Sequence, residues 1–172
     1  MPQLTPTTSP VSFSSPPSPP EEGERLGEVE ATSRDSVLGT AQVALQYPTG
    51  DGAETATEFA IDPAKFHDAF AADLPREQTA VMAATQRPVA EPAFSEPSGP
   101  PAWKSLSSWA VVATGDKAAG ADVIRSMAER AGATITEADG SHVIMISRPE
   151  TVANVILIAA AAVHRPTGTT TD

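Results

Sequence analysis

The apolar positions of residues 107–163 fall into blocks with two different rhythms. "SWAVVAT" (108–114) is a continuous apolar run, and predicts a strand buried on both faces. "GDKAAG" (115–120) reads as a loop. In "ADVIRSMAERAG" (121–132) Val123, Ile124, Met127, Ala128 and Ala131 recur at helical spacing, and Gly132 ends the helix. "ATITEA" (133–138) alternates and predicts a second strand. Pro149 then opens a last helix whose inward face is Val152, Val155, Ile156, Ala159, Ala160 and Val163. Strand, helix, strand, helix is the order of a parallel α/β sheet with right-handed crossovers.

Upstream, two short helices are expected. In "DPAKFHDAFAAD" (62–73) Asp62 is placed to cap, Pro63 takes the first helical position, and Phe66, Ala69 and Phe70 share a face. In "PREQTAVMAATQ" (75–86) Pro75 opens the helix and Val81 and Met82 mark the apolar side. A Pro-rich connection follows at 88–101. Residues 21–61 are acidic and Gly-rich, with a turn at "PTGDG" (48–52) and no regular structure expected around it. Residues 1–20 hold seven prolines, eight Ser or Thr and no charge, a composition that cannot build a packed core. The expected organisation is therefore a disordered tail over 1–20, an acidic, partly irregular segment over 21–61, a helical segment and linker over 62–101, an α/β portion over 102–165 and a disordered tail over 166–172.

Composition narrows the function classes. The net charge is −11, with ten acids against two bases in residues 21–62. Such a chain, without a basic patch, is not expected to bind nucleic acid or an anionic membrane. There is no cysteine, so thiolate nucleophiles and disulfides are excluded. The longest nearly apolar run, "VANVILIAAAAV" (152–163), is too short to span a bilayer, and no secretory leader is read at the start. These points lead to an expectation of a cytoplasmic protein. Asp51, Glu54 and Glu58 cluster in sequence, but no histidine joins them and the spacing fits no metal cage.

Two residues could carry chemistry. Asp116 and His142 each follow a predicted strand, one strand–helix–strand unit apart, where open α/β sheets place their sites. Adjacent parallel strands would set the loops side by side, so that the carboxylate could fix the imidazole tautomer. Taken singly, each has a plainer reading. His142 could be a structural histidine, and Asp116 a turn or helix-capping acid. Trp103 and Trp109 read as packing residues. His67 is expected to be exposed on its helix, and His164 lies near the end of the chain.

The stretch "ATGDKAAGADVIRSMAERAGATITEADGSHVIMISRPETV" resembles the C-terminal part of an α/β-hydrolase. It is similar to the branch holding plant methyl-ester esterases, hydroxynitrile lyases and bacterial relatives. Thr114, Asp116 and Lys117 match that branch's Thr-x-Asp-Lys, and Ser141, His142, Met145 and Pro149 match its later histidine motif. "PEEGERLGEVE" and "IDPAKFHDAFAADLPREQTAVMAATQRP" resemble its segment after the sixth strand and its cap helices. The resemblance implies a partial α/β-hydrolase sheet, the last parallel strands with their helices, plus a helical cap over 62–101. It implies Asp116 as orienting acid and His142 as general base of an ester-cleaving triad, a small-molecule ester as substrate, and no metal or organic cofactor. Two departures stand out. Ala118-Ala119-Gly120 replaces the usual Ile-Pro after Asp-Lys, and no Gly-x-Ser-x-Gly nucleophile elbow occurs anywhere. The expectation is a hydrolase truncated so that the serine is missing, inactive as written. With the preceding strand degraded, Trp109–Ala113 would be an unprotected edge and a route to self-association. The alternative is a non-catalytic small α/β binding domain.

Overall fold

A computed structural model describes residues 20–50 and 52–163. The tails expected over 1–20 and 166–172 therefore lie almost wholly outside the described residues, as do His164 and Asp51.

The acidic segment is more regular than its composition suggests. Two short helices, α1 (Leu26–Glu30) and α2 (Leu38–Ala41), lead into β1 (Gln42–Thr49), which pairs antiparallel with β2 (Glu54–Ile61) from Gln42↔Ile61 to Thr49↔Glu54. The irregular stretches of 21–61 are thus confined to the ends and turns of these elements. The turn was legible in Pro48–Gly52, and Gly50 and Gly52 adopt φ of 52° and 85°, open to glycine at no steric cost. The strands around it were hidden because Ala, Thr, Gln and Glu dilute their alternation. Long-range contacts hold them instead. Gln86 extends the ladder by accepting from Ile61 N at 2.9 Å and donating to Ile61 O at 2.8 Å. Phe59 of β2 meets Phe94 edge-on, with ring centroids 5.9 Å apart.

The two helices expected next are present but shorter. Asp62 does not cap a helix directly. Its Oδ1 accepts from Ala64 N at 2.9 Å in a turn, and α3 begins only at Phe66 and ends at Phe70. The second, α4 (Arg76–Thr85), follows Pro75. Its buried positions are Thr79 and Ala83. Val81 is 63% exposed and Met82 only half-buried, so the inward face lies one step away from the apolar pair. Phe66, Ala71, Leu74 and Ala83 pack together with Val143, joining this segment to the C-terminal part. Full burial of a side chain such as Phe66 is worth about 1.5–3 kcal/mol.

The Pro-rich connection is not a free linker. It carries β3 (Val89–Ala90), antiparallel to β2, and α5 (Pro92–Ser95). It is also tied to the start of the described chain by Gly23 N to Ser98 O and Ser98 N to Glu24 O, both 2.9 Å.

The C-terminal part follows the sequence pattern closely. β4 (Trp109–Ala113) and β5 (Thr134–Ala138) run parallel in register, Trp109↔Thr134 to Ala113↔Ala138, and α6 (Ala121–Arg130) crosses between them. Val112, Ala119 and Ile124 form the core here, with Ile135 against them. The expectation of a strand buried on both faces holds only at its end: Val112 and Ala113 of β4 are fully buried, whereas Trp109–Val111 are half-buried. Among the described residues β4 has a strand partner on one side only. A short helix, α7 (Ile144–Ser147), precedes α8 (Pro149–Val163). On α8 only Val155 and Ala159 are buried. Ile156, placed inward by the periodicity, is 39% exposed, because the narrow two-stranded sheet cannot cover the whole apolar face. No helix among the described residues is long and apolar enough to cross a membrane.

Candidate functional site

Asp116 and His142 come from the loops that follow β4 and β5, at the same edge of the parallel pair. Parallel register sets the two strand ends level, and backbone bonds then join the loops. Thr114 N donates to Ala138 O and Gly115 N to Gly140 O, both at 3.0 Å. Asp116 is 2% exposed. Its Oδ1 accepts from Ala118 N at 2.8 Å, and its Oδ2 lies 2.9 Å from His142 Nδ1. A carboxylate there requires the proton on Nδ1, which leaves Nε2 as the basic nitrogen. Phe70 of α3 stacks obliquely on the imidazole, with centroids 4.6 Å apart, and Phe66 backs Phe70 at 5.1 Å.

His142 opens onto a cavity of about 520 Å³. Its walls are mainly apolar, with Phe59, Phe66, Phe70, Met82 and Phe94, so they come from the hairpin and the helical segment as well as from the histidine loop. Two charged groups share this lining, Arg87 and Glu30. Burial pushes the Glu30 carboxyl above its ordinary value. The His142 charge pulls it partly back, and Asp116 pushes it further up.

Several residues that shape the site were not singled out in the sequence. Asp73, in the turn between α3 and α4, accepts from Ser141 N at 3.0 Å and from Ser141 Oγ. On the other loop, Val37 N donates to Lys117 O at 2.8 Å and Ser36 Oγ donates to Ala118 O. None of these has a local motif that would reveal it. His67 was expected to be exposed, but its side chain is 18% exposed, with Nδ1 2.6 Å from Asp68 Oδ1 and Nε2 3.2 Å from Leu74 O. Trp103 is half-buried with Lys104 Nζ 5.5 Å from its ring centre, and Trp109 is half-buried in β4. Among the described residues no cluster of His, Asp and Glu is arranged to hold a metal ion.

The pattern of the Alpha/beta hydrolase family matches residues 10–155, most of the chain. The chain belongs to that family. Among solved structures, this α/β-hydrolase is similar to polyneuridine aldehyde esterase, with a TM-score of 0.64 at 15% identity, covering 82% of this chain and 58% of that one. It is also similar to a mutant of that esterase in which a histidine is replaced by alanine, with a TM-score of 0.60 at 13% identity, covering 81% and 57%. At such identities the likeness is one of fold. The chain spans less than two thirds of the length of those structures. No curated protein matches it significantly.

Proposed function

We propose that this chain supplies the acid, the base and the cap of an ester-cleaving α/β-hydrolase, and that it lacks the nucleophile. The observation that carries the reading is the Asp116 Oδ2 to His142 Nδ1 contact of 2.9 Å beside a largely apolar cavity. In this role a serine hydroxyl attacks the ester carbonyl, His142 Nε2 takes its proton and returns it to the leaving alcohol, and Asp116 holds the imidazole and stabilises its charged form. The apolar walls would receive the hydrocarbon part of a small ester. The helical segment 62–101 would act as the cap, and 102–165 as the core portion.

The missing partner is the serine. No Gly-x-Ser-x-Gly occurs in the 172 residues, and that is the motif with which an α/β-hydrolase presents its nucleophile and the adjacent backbone N–H of the oxyanion hole. The chain as written is expected to hydrolyse p-nitrophenyl acetate no faster than its His142→Ala variant, and to take no label from a fluorophosphonate probe of activated serines. Turnover well above that control would sink the claim of inactivity. The DNA upstream, read in all three frames, tests the truncation. A Gly-x-Ser-x-Gly in another frame supports it, and its absence favours a separately evolved binding domain.

A further inference from the structure

The geometry points to Asp73 as a positioning residue for His142, acting through Ser141. The inference rests on reading Asp116 and His142 as an acid–base pair. One carboxylate grips one residue twice: Oδ2 accepts the Ser141 backbone N–H at 3.0 Å, and Oδ1 accepts the Ser141 hydroxyl. Holding both the main chain and the side chain of a residue leaves it little freedom to rotate. Ser141 is buried, at 4% exposure, and immediately precedes His142.

Asp73 is itself exposed, but it is bracketed by buried residues. Asp73 sits between Ala71, with no exposed surface, and Leu74, at 8%, both in the cluster that also contains Val143. His142 is therefore flanked on one side by a residue bonded to Asp73 and on the other by a residue packed in the cluster of Leu74. The loop is closely fitted here. A Cβ at Gly140 would stand 3.2 Å from Asp73 Oδ2 and 3.1 Å from Ile144 Cγ1. Burial favours the neutral form of Asp73, but the Ser141 and Ser147 side chains and the backbone N–H groups of Ser141 and Asp73 together outweigh it and hold the carboxyl below its ordinary value. Asp116 is held in its own loop by Ala118 N, and that loop is tied from outside by Ser36 and Val37, so each side of the pair has its own anchor.

The test reads the pair directly and needs no turnover. In ¹H–¹⁵N spectra of the full chain, which has only three histidines, the Nδ1-bound proton of His142 should be protected from exchange. It should be absent in an Asp116→Ala control. Asp73→Ala and Ser141→Ala, each checked for a cooperative melt, should lose the protected proton while the chain stays folded. If Asp73→Ala does not fold, Asp73→Asn, which keeps the size and one acceptor oxygen, carries the test. Persistence of the proton in the folded Asp73 and Ser141 variants overturns the inference and leaves the acid–base reading standing. Its absence from the unsubstituted chain overturns the acid–base reading itself, and this inference with it.

Discussion

Gly115 donates its N–H to the carbonyl of Gly140 at 3.0 Å, and a Cβ at Gly115 would stand 2.9 Å from that same oxygen. The loop before Asp116 and the loop before His142 thus touch backbone to backbone, one residue from Asp116 and two from His142. That contact is possible only because position 115 has no side chain.

Gly115→Ala is therefore expected to drive the two loops apart. The obstacle is a carbonyl of the main chain, which cannot swing aside as a flexible side chain would. The cost should be about 1–3 kcal/mol, typical of overpacking at a tight site. Urea unfolding monitored by circular dichroism gives the stability change, and the protected Nδ1 proton of His142 should weaken in parallel. Stability equal to the unsubstituted chain would show that the loops can separate freely.

Glu30 should give stability a distinctive dependence on pH. Its carboxyl is raised above the ordinary value of 4.5, chiefly by burial. The stability gained from the protonated form is complete below that value and is lost as pH rises through the higher folded value. Glu30→Gln, neutral at every pH, should therefore melt at a higher temperature than the parent at neutral pH, with the gain vanishing in acid. Asp73 has the opposite sign. Its carboxyl is depressed below 3.8, so its contribution is present above that value and is lost as pH falls through the folded value. A Glu30→Gln melt no higher than the parent's at neutral pH would count against the burial of this carboxylate beside His142.

Self-association is expected through the C-terminal region. Leu157 is 65% exposed, Ile158 59% and Ile156 39% on α8, with Ile146 at 42% on α7. β4 also has a strand partner on only one side among the described residues. Apolar surface and an open ladder together favour chain–chain contact despite the net charge of −11. Size-exclusion chromatography over a range of concentrations should show larger species, and Leu157→Lys with Ile158→Lys should reduce them. A sharp monomer peak and a cooperative melt at all concentrations would instead indicate a self-sufficient core.

Much of the C-terminal part was legible in order along the chain. The apolar run of β4, the helical spacing of Val123, Ile124, Met127 and Ala128, and the alternation of β5 are local patterns, and local sterics and burial translate them into elements with little help from distant residues. The placement of Asp116 and His142 at the ends of two strands follows from that order alone. Other features waited on tertiary contact. The hairpin of β1 and β2 has a weak apolar rhythm and is completed by Gln86 and Phe94 from well outside it. The inward face of α4 was decided by what packs against it, which buried Thr79 and left Val81 in solvent. Asp73 and Ser141 are 68 residues apart, and nothing near either predicts the other. A repeat of apolar side chains records which face an element will bury. A hydrogen bond between two polar groups distant in sequence leaves no periodic trace, because its partner is chosen only when the chain has folded and brought the two together.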